Sequence, residues 1–210
     1  MPPIIPQNTI IAFDIHGVLF KPNFKKIIQL AWNHKKVFTI GFYLLNPKFT
    51  FKLISLKYKR AVPEEYFMTL TRDYPSLEQY KSLAIAISNA QTPVQELIDM
   101  AQNLKNQGYT LHIFSNIGQY IFADLAHTHP NVFTLFDAIH VPMEYTGYIS
   151  KRHPDAFDYY LKQHNPENKM VILIDDNKHN IARASQVGIV GIYFKNSDQL
   201  RSELQQLHIL

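Results

Sequence analysis

The chain has 210 residues, of which 46% are hydrophobic and 18% charged, a formal net charge of +4, and no cysteine. That length fits one domain, or one domain with an insertion, and supplies enough apolar side chains for a sizeable core. Without cysteine, disulfides, zinc–thiolate sites and thiol nucleophiles are excluded. The opening Met1-Pro-Pro-Ile-Ile-Pro-Gln7 has neither a basic region nor a long apolar run, and the longest apolar stretch, Val37 to Leu45, is too short to span a bilayer. The expectation is a soluble, cytoplasmic protein without a signal peptide.

Thr9-Ile-Ile-Ala-Phe13 reads as a buried strand that delivers Asp14 at its carboxyl end, and His16-Gly17-Val18-Leu19 then turns the chain away. The next segment breaks the pattern. From Lys21 to Arg60 there are ten Lys or Arg and no Asp or Glu, interleaved with Phe24, Trp32, Phe38, Phe42, Tyr43, Phe49, Phe51 and Tyr58. Residues from about 21 to 90 are largely helical in pattern, interrupted by Pro47, Pro63 and Pro75. The plain reading is a helical subdomain with a solvated basic face. The functional readings are attraction of an anionic small molecule, an acidic lipid surface or nucleic acid. No nucleic-acid motif accompanies the charge, so nucleic acid is not expected and the anionic small molecule ranks first. Contact of this basic stretch with a membrane surface stays open, as does the oligomeric state.

Beyond residue 90 strands and helices alternate. Thr92-Pro93-Val94-Gln95 has the form of a helix start, with Thr92 as cap and Pro93 at the first helical position. The helix continues through Leu97, Ile98, Ala101 and Leu104 to Gly108. A strand over Thr110–Phe114 follows, ending in Ser115-Asn116, and then a helix over about 118–127. Ala138–Val141 is a short strand, His153–His164 a helix, and Met170–Ile174 a strand ending in Asp175 and Asp176. A helix through Ile181, Ala184 and Val187 stops at Gly188, Val190–Tyr193 is the last strand, and a final helix starts near Ser197. The alternation predicts an α/β fold: a Rossmann-like, mostly parallel sheet with helices on both faces. An α-helical cap would be inserted after the first strand, with residues 1–20 and 91–210 as the core and 21–90 as the cap.

Asp14, Ser115, Lys151 and the pair Asp175-Asp176 fall at strand ends or in the loops after them, where open α/β sheets hold ligands. Together they suit phosphoryl transfer. Asp14 would attack phosphorus and split the displacement into two steps. Asp14 and Asp176, with backbone oxygen and water, would form an oxygen-rich magnesium (Mg²⁺) site. Ser115 and neighbouring amides would bind phosphoryl oxygens, and Lys151 would offset their charge. Taken singly, each residue has a plainer role as turn former, helix cap or solvated charge. The case rests on their joint occurrence in order. His112, His140 and His179 are read as structural.

At these residues the chain resembles the haloacid dehalogenase-like (HAD) hydrolase superfamily. Phe13-Asp-Ile-His-Gly-Val-Leu19 matches its first motif, Ile113-Phe-Ser-Asn116 its second, Gly147–Phe157 around Lys151 its third, and Leu173–Ile181 its fourth. The resemblance implies Asp14 as nucleophile and Mg²⁺ held by Asp14, the backbone carbonyl of His16 and Asp176. It further implies Ser115, Asn116 and Lys151 as the substrate-binding set, and Asp175 and Asn180 as supporting groups. One position departs. Family phosphatases carry a second Asp two residues after the nucleophile, which protonates the leaving group and then activates water; here it is His16. An imidazole can serve as that acid and base. The implied function is a Mg²⁺-dependent phosphatase acting on a small, anionic phosphorylated metabolite through an aspartyl-phosphate. The alternatives are a catalytically impaired phosphate-binding or interaction protein on the same scaffold and, with less in its favour, a haloacid dehalogenase.

Overall fold

The computed structural model describes residues 4–33, 45–58, 69–143, 147, 149–165 and 167–210. Its strands are β1 (Thr9–Phe13), β2 (Phe20–Pro22), β3 (Gln91–Pro93), β4 (Thr110–Phe114), β5 (Ala138–His140), β6 (Met170–Asp175) and β7 (Val190–Tyr193). Its helices are α1 (Phe24–Asn33), α2 (Pro47–Tyr58), α3 (Lys81–Ser88), α4 (Gln95–Asn106), α5 (Gln119–Thr128), α6 (Pro130–Phe133), α7 (Ala156–His164), α8 (Lys178–Gln186) and α9 (Ser197–Gln206). Phe38, Phe42 and Tyr43 of the basic stretch, Pro63 beyond it, and Tyr148 of the third motif lie outside the described residues.

The chain divides into two compact units, Met1–Lys21 with Pro93–Leu210, and Pro22–Thr92. The first is built on a sheet of order β5-β4-β1-β6-β7. The pairings β1–β4, β1–β6, β4–β5 and β6–β7 are all parallel. Strands so placed are covered on both faces, and all five residues of β1 are buried. The two-residue alternation sorts them. Ile11 and Phe13 join Leu111, Ile113, Ile172 and Ile174 under α4 and α9, whereas Ile10 and Ala12 join Phe114, Val171 and Leu173 under α7 and α8. The expected α/β architecture with helices on both faces is therefore present. From β1 the chain moves outward to β4 and β5, then returns to the other side of β1 for β6 and β7. The order reverses at β1, which puts a ligand-binding crevice at the carboxyl ends of β1, β4 and β6.

The second unit has a smaller core. Phe49, Leu70, Leu77, Tyr80 and Leu83 are buried together, with Leu30, Tyr74 and Ile87 packed against them. Asn23 accepts from Lys26 N at 3.0 Å through its side chain, and Asn46 from Lys48 N at 3.0 Å, so Asn side chains satisfy open N–H groups at the starts of α1 and α2.

Several boundaries differ from those expected. Thr92 does not cap a helix: Gln91–Pro93 is β3, and α4 begins at Gln95 behind Val94 without a side-chain cap. The Thr92 hydroxyl instead accepts from Asn23 Nδ2 at 3.1 Å, and Val94 N donates to Leu19 O at 2.9 Å. Extended pairing thus overrides a local capping signature. Helix α7 starts at Ala156 rather than His153, because Ser150–His153 forms a turn in which His153 N donates to Ser150 O at 2.7 Å. Strand β5 stops at His140, one residue short of Val141, and β6 extends one residue further, to Asp175.

Candidate active site

Asp14 follows the last residue of β1, and its N–H donates to Ile174 O at 2.9 Å, continuing the ladder to β6. Its side chain is buried and turned back, so that Oδ1 accepts from Ile15 N at 2.8 Å. Ser115 occupies the equivalent place after β4, anchored by its N–H to His140 O at 3.0 Å, and its hydroxyl hydrogen-bonds the Asp14 carboxyl. Asp175 is the last residue of β6, fully buried.

Lys151 reaches this group from the loop before α7 and is itself fully buried. Its Nζ lies 3.2 Å from Asp14 Oδ1, donates to Phe114 O at 2.9 Å, and pairs with Asp175 Oδ2. Burial acts against the ammonium, but the Asp14 and Asp175 carboxylates outweigh it and hold the Lys151 pKa above its ordinary value. For Asp14 burial wins: together with the Asp175 charge it raises the carboxyl above the usual range, against Lys151, Ser115 and His16, which pull it down. His16 therefore acts electrostatically on Asp14; its side chain is half-buried.

Asp175 is saturated. It accepts from Asn177 N at 2.8 Å, from Asn180 Nδ2 at 3.1 and 3.0 Å, and from Lys151. These donors use the lone pairs a carboxylate has. Asp176, next along the chain, is exposed where Asp175 is buried. A Cβ on Gly17 would lie 2.1 Å from Asp176 Oδ2, and Gly17 has φ +79°, so only glycine lets the β1 loop meet the end of β6 there. The Asp176 residue is exposed, but partial desolvation of its carboxyl, then repulsion from Asp14 and Asp175, raise it to about 6.

Among the described residues, Asp14, Asp175 and Asp176 form the one group whose ligand atoms all lie within 4.8 Å of one another. With Asp175 occupied, a divalent cation would fall to Asp14 and Asp176. Two carboxylates, each raised first by burial and then by a neighbouring acid, are a donor set that fits a hard cation such as Mg²⁺.

The structure thus gathers Asp14, Ser115, Lys151, Asp175, Asp176 and Asn180 at one sheet edge. Asn116 follows Ser115, and its Oδ1 accepts from Lys151 N at 2.6 Å, tying the lysine loop to the end of β4. Arg183 had no sequence signal; its Nη1 donates to Lys151 O at 2.9 Å across 32 residues of chain. The role of Gly17 was also missed, although a glycine in the turn after Asp14 was a cue. His112 and His140 sit outside the site, in a buried cluster. His112 Nδ1 is 2.8 Å from the Tyr160 hydroxyl, and His140 Nδ1 is 3.2 Å from His164 Nε2. His179 lies at the start of α8, where its N–H donates to the capping Asn177 side chain at 2.9 Å.

The fold is shared with solved structures. The L-2-haloacid dehalogenase of Xanthobacter autotrophicus, with chloropropionic acid covalently bound, superposes with a TM-score of 0.60 at 16% identity, over 99% of this chain and 85% of that one. The HAD family enzyme BT-2542 of Bacteroides thetaiotaomicron, in complex with magnesium and inorganic phosphate, gives 0.59 at 18% identity, over 89% and 94%. Among curated proteins, the chain is similar to the sesquiterpene phosphatase AstK of Aspergillus oryzae, 29% identical over 117 residues. That match covers 55% of this chain and 57% of the relative, so the chain aligns with little more than half of it. The family model described as haloacid dehalogenase-like hydrolase matches residues 11–193, from β1 to β7, and the chain belongs to that family.

Proposed function

We propose that the protein is a Mg²⁺-dependent phosphatase acting on a small phosphorylated metabolite. The observation that carries this reading is the buried Lys151 ammonium between Asp14 and Asp175, beside a second pair, Asp14 and Asp176, left open to a cation. The phosphatase relative points the same way.

In this reading an Asp14 oxygen attacks phosphorus. The bond from phosphorus to the leaving oxygen breaks, and an aspartyl-phosphate forms. His16 donates a proton to the leaving oxygen. It then takes one from the water that attacks phosphorus, which releases phosphate and restores Asp14. Ser115 holds the Asp14 carboxyl and the phosphoryl oxygens, and Lys151 offsets the negative charge. Mg²⁺ between Asp14 and Asp176 would supply the further positive charge that lets one anion approach another. The inserted unit, residues 22–92, is assigned the part of a cap that chooses the substrate.

His16 favours a second reading, a phosphate-binding protein with impaired turnover, because the position departs from the family's acid. A dehalogenase has less support: the likeness to that enzyme carries the fold alone, and halide displacement gives Asp176 no task.

Hydrolysis of para-nitrophenyl phosphate with Mg²⁺ and with chelator, wild type beside Asp14→Asn, tests the proposal. Turnover is expected with metal only, falling at least roughly a thousandfold in the variant. Activity surviving either change would overturn the mechanism. An inactive wild type that still binds Mg²⁺ and phosphate would select the second reading. His16→Asp is expected to match or exceed wild type on this activated ester.

A further inference from the structure

Helix α1 carries an apolar stripe that the protein leaves in water. Phe24, Ile28 and Trp32 recur every four residues, and their side chains are 70%, 65% and 76% exposed. At roughly 100° per residue they lie along one edge of the helix. The adjoining edge, Ile27, Leu30 and Ala31, is half-buried, and Leu30 packs on the unit's core. The apolar arc is thus wider than the core needs. The remaining arc is Lys25, Lys26, Gln29 and Asn33, all exposed. Helix α1 has no acidic residue, and from Pro22 to Arg60 the chain has nine Lys or Arg and no Asp or Glu. On α2, Phe51 is a further aromatic, 75% exposed, near the exposed Lys48.

Isolated exposed apolar side chains are ordinary; three in register on one helix, bordered on the open side by Lys25 and by no acid, are not. An apolar edge with a Trp at one end and a basic flank is the chemistry of a helix lying in a lipid headgroup layer. A protein partner would have to be acidic as well as apolar, whereas an anionic bilayer offers both over any area. We infer that α1 docks the protein on anionic membrane surfaces through Phe24, Ile28 and Trp32, with Lys25 beside the stripe engaging lipid headgroups.

Trp32 is the single tryptophan, so its fluorescence reports on the stripe directly. The full chain is mixed with vesicles of phosphatidylcholine alone or of phosphatidylcholine with phosphatidylserine. Expected is emission typical of exposed indole in buffer, and a blue shift with protection from acrylamide on the phosphatidylserine vesicles only. Binding is expected to weaken about fivefold in Lys25→Gln and to fall in raised salt. It should be lost from cosedimentation in Phe24→Ser/Ile28→Ser, whose circular dichroism should match wild type. Equal binding to neutral vesicles, or none to either, overturns the inference. So does Trp32 emission already shielded in buffer, which would mean that the protein or a second copy covers the stripe; sedimentation velocity separates those two. Hydrolysis of a soluble aryl phosphate is independent of every outcome.

Discussion

In the sheet-bearing unit, charge is buried: Asp14, Lys151 and Asp175 are all at most 7% exposed. In the inserted unit, apolar surface is exposed: Phe24, Ile28, Trp32 and Phe51 are all at least 65% exposed. Each departs from the ordinary sorting of residues, in opposite directions. The first departure is supported by partners, since every buried charge has an opposite charge and further hydrogen bonds. The second has no such support, and among the described residues the unit's own core is five side chains with a fringe. A buried charge is tolerated only where its partners are fixed, so the site sits on the rigid sheet, whereas solvent-facing apolar groups need no scaffold so exact.

The sharpest way to break this contrast is to remove one buried charge. Lys151→Met leaves Asp14 and Asp175 facing each other without compensation, and is expected to lower unfolding free energy by about 3–5 kcal/mol in urea titrations. An unchanged midpoint would mean that the charges are not mutually supported.

Acid offers a second handle. Burial, then the nearby His164, hold His112 down to about 4, and burial and His164 do the same for His140. Unfolded, both take protons near 6.5. Between pH 6.5 and 4 the unfolded chain binds more protons, so their contribution is complete above 6.5 and is lost as pH falls toward 4. It is on the order of 3 kcal/mol for each histidine. Asp176, raised to about 6, works oppositely, since its contribution is lost as pH rises through that value. The histidine share is therefore read as a difference. His140→Phe, which also removes a buried Nε2 without a partner, should flatten the fall in thermal midpoint between pH 6.5 and 4 relative to wild type. A parallel fall would refute it.

Within the inserted unit the contrast can be drawn two residues apart. Phe49 is buried with its ring edge-on to Tyr74 at 5.2 Å, and Phe49→Ala should cost about 3 kcal/mol. Phe51→Ala should stay within about 0.5 kcal/mol. Equal costs, measured by hydrogen exchange in this unit, would mean that Phe51 is covered in solution.

The strands and the strand-end acids were legible because both signals are local: an apolar run, and a carboxylate where it stops. The positions of Asp14 and Asp175 followed from that pattern, and that of Ser115 from the end of the apolar run before it. The start of α4 did not, since Thr92 finds its partner in Asn23, 69 residues away. Arg183 was equally invisible, as nothing in the spacing of α8 announces a bond to Lys151 O. Asn116 was placed at the right strand end, but its bond to Lys151 N depended on a loop 35 residues away. The width of the apolar arc on α1 could be read from sequence; which half of it meets the core could not.

Lys151 is held at three points: its N–H by Asn116, its carbonyl by Arg183, and its ammonium by Asp14, Asp175 and Phe114 O. An ammonium has three protons, and these three acceptors account for all of them. It therefore meets an incoming anion as a fixed source of electric field and not as a hand that reaches for a particular oxygen. Such a source discriminates by charge and distance and is indifferent to the shape of whatever carries the charge. A chain built this way can change its substrate by altering residues far from the sheet edge while leaving its chemistry untouched.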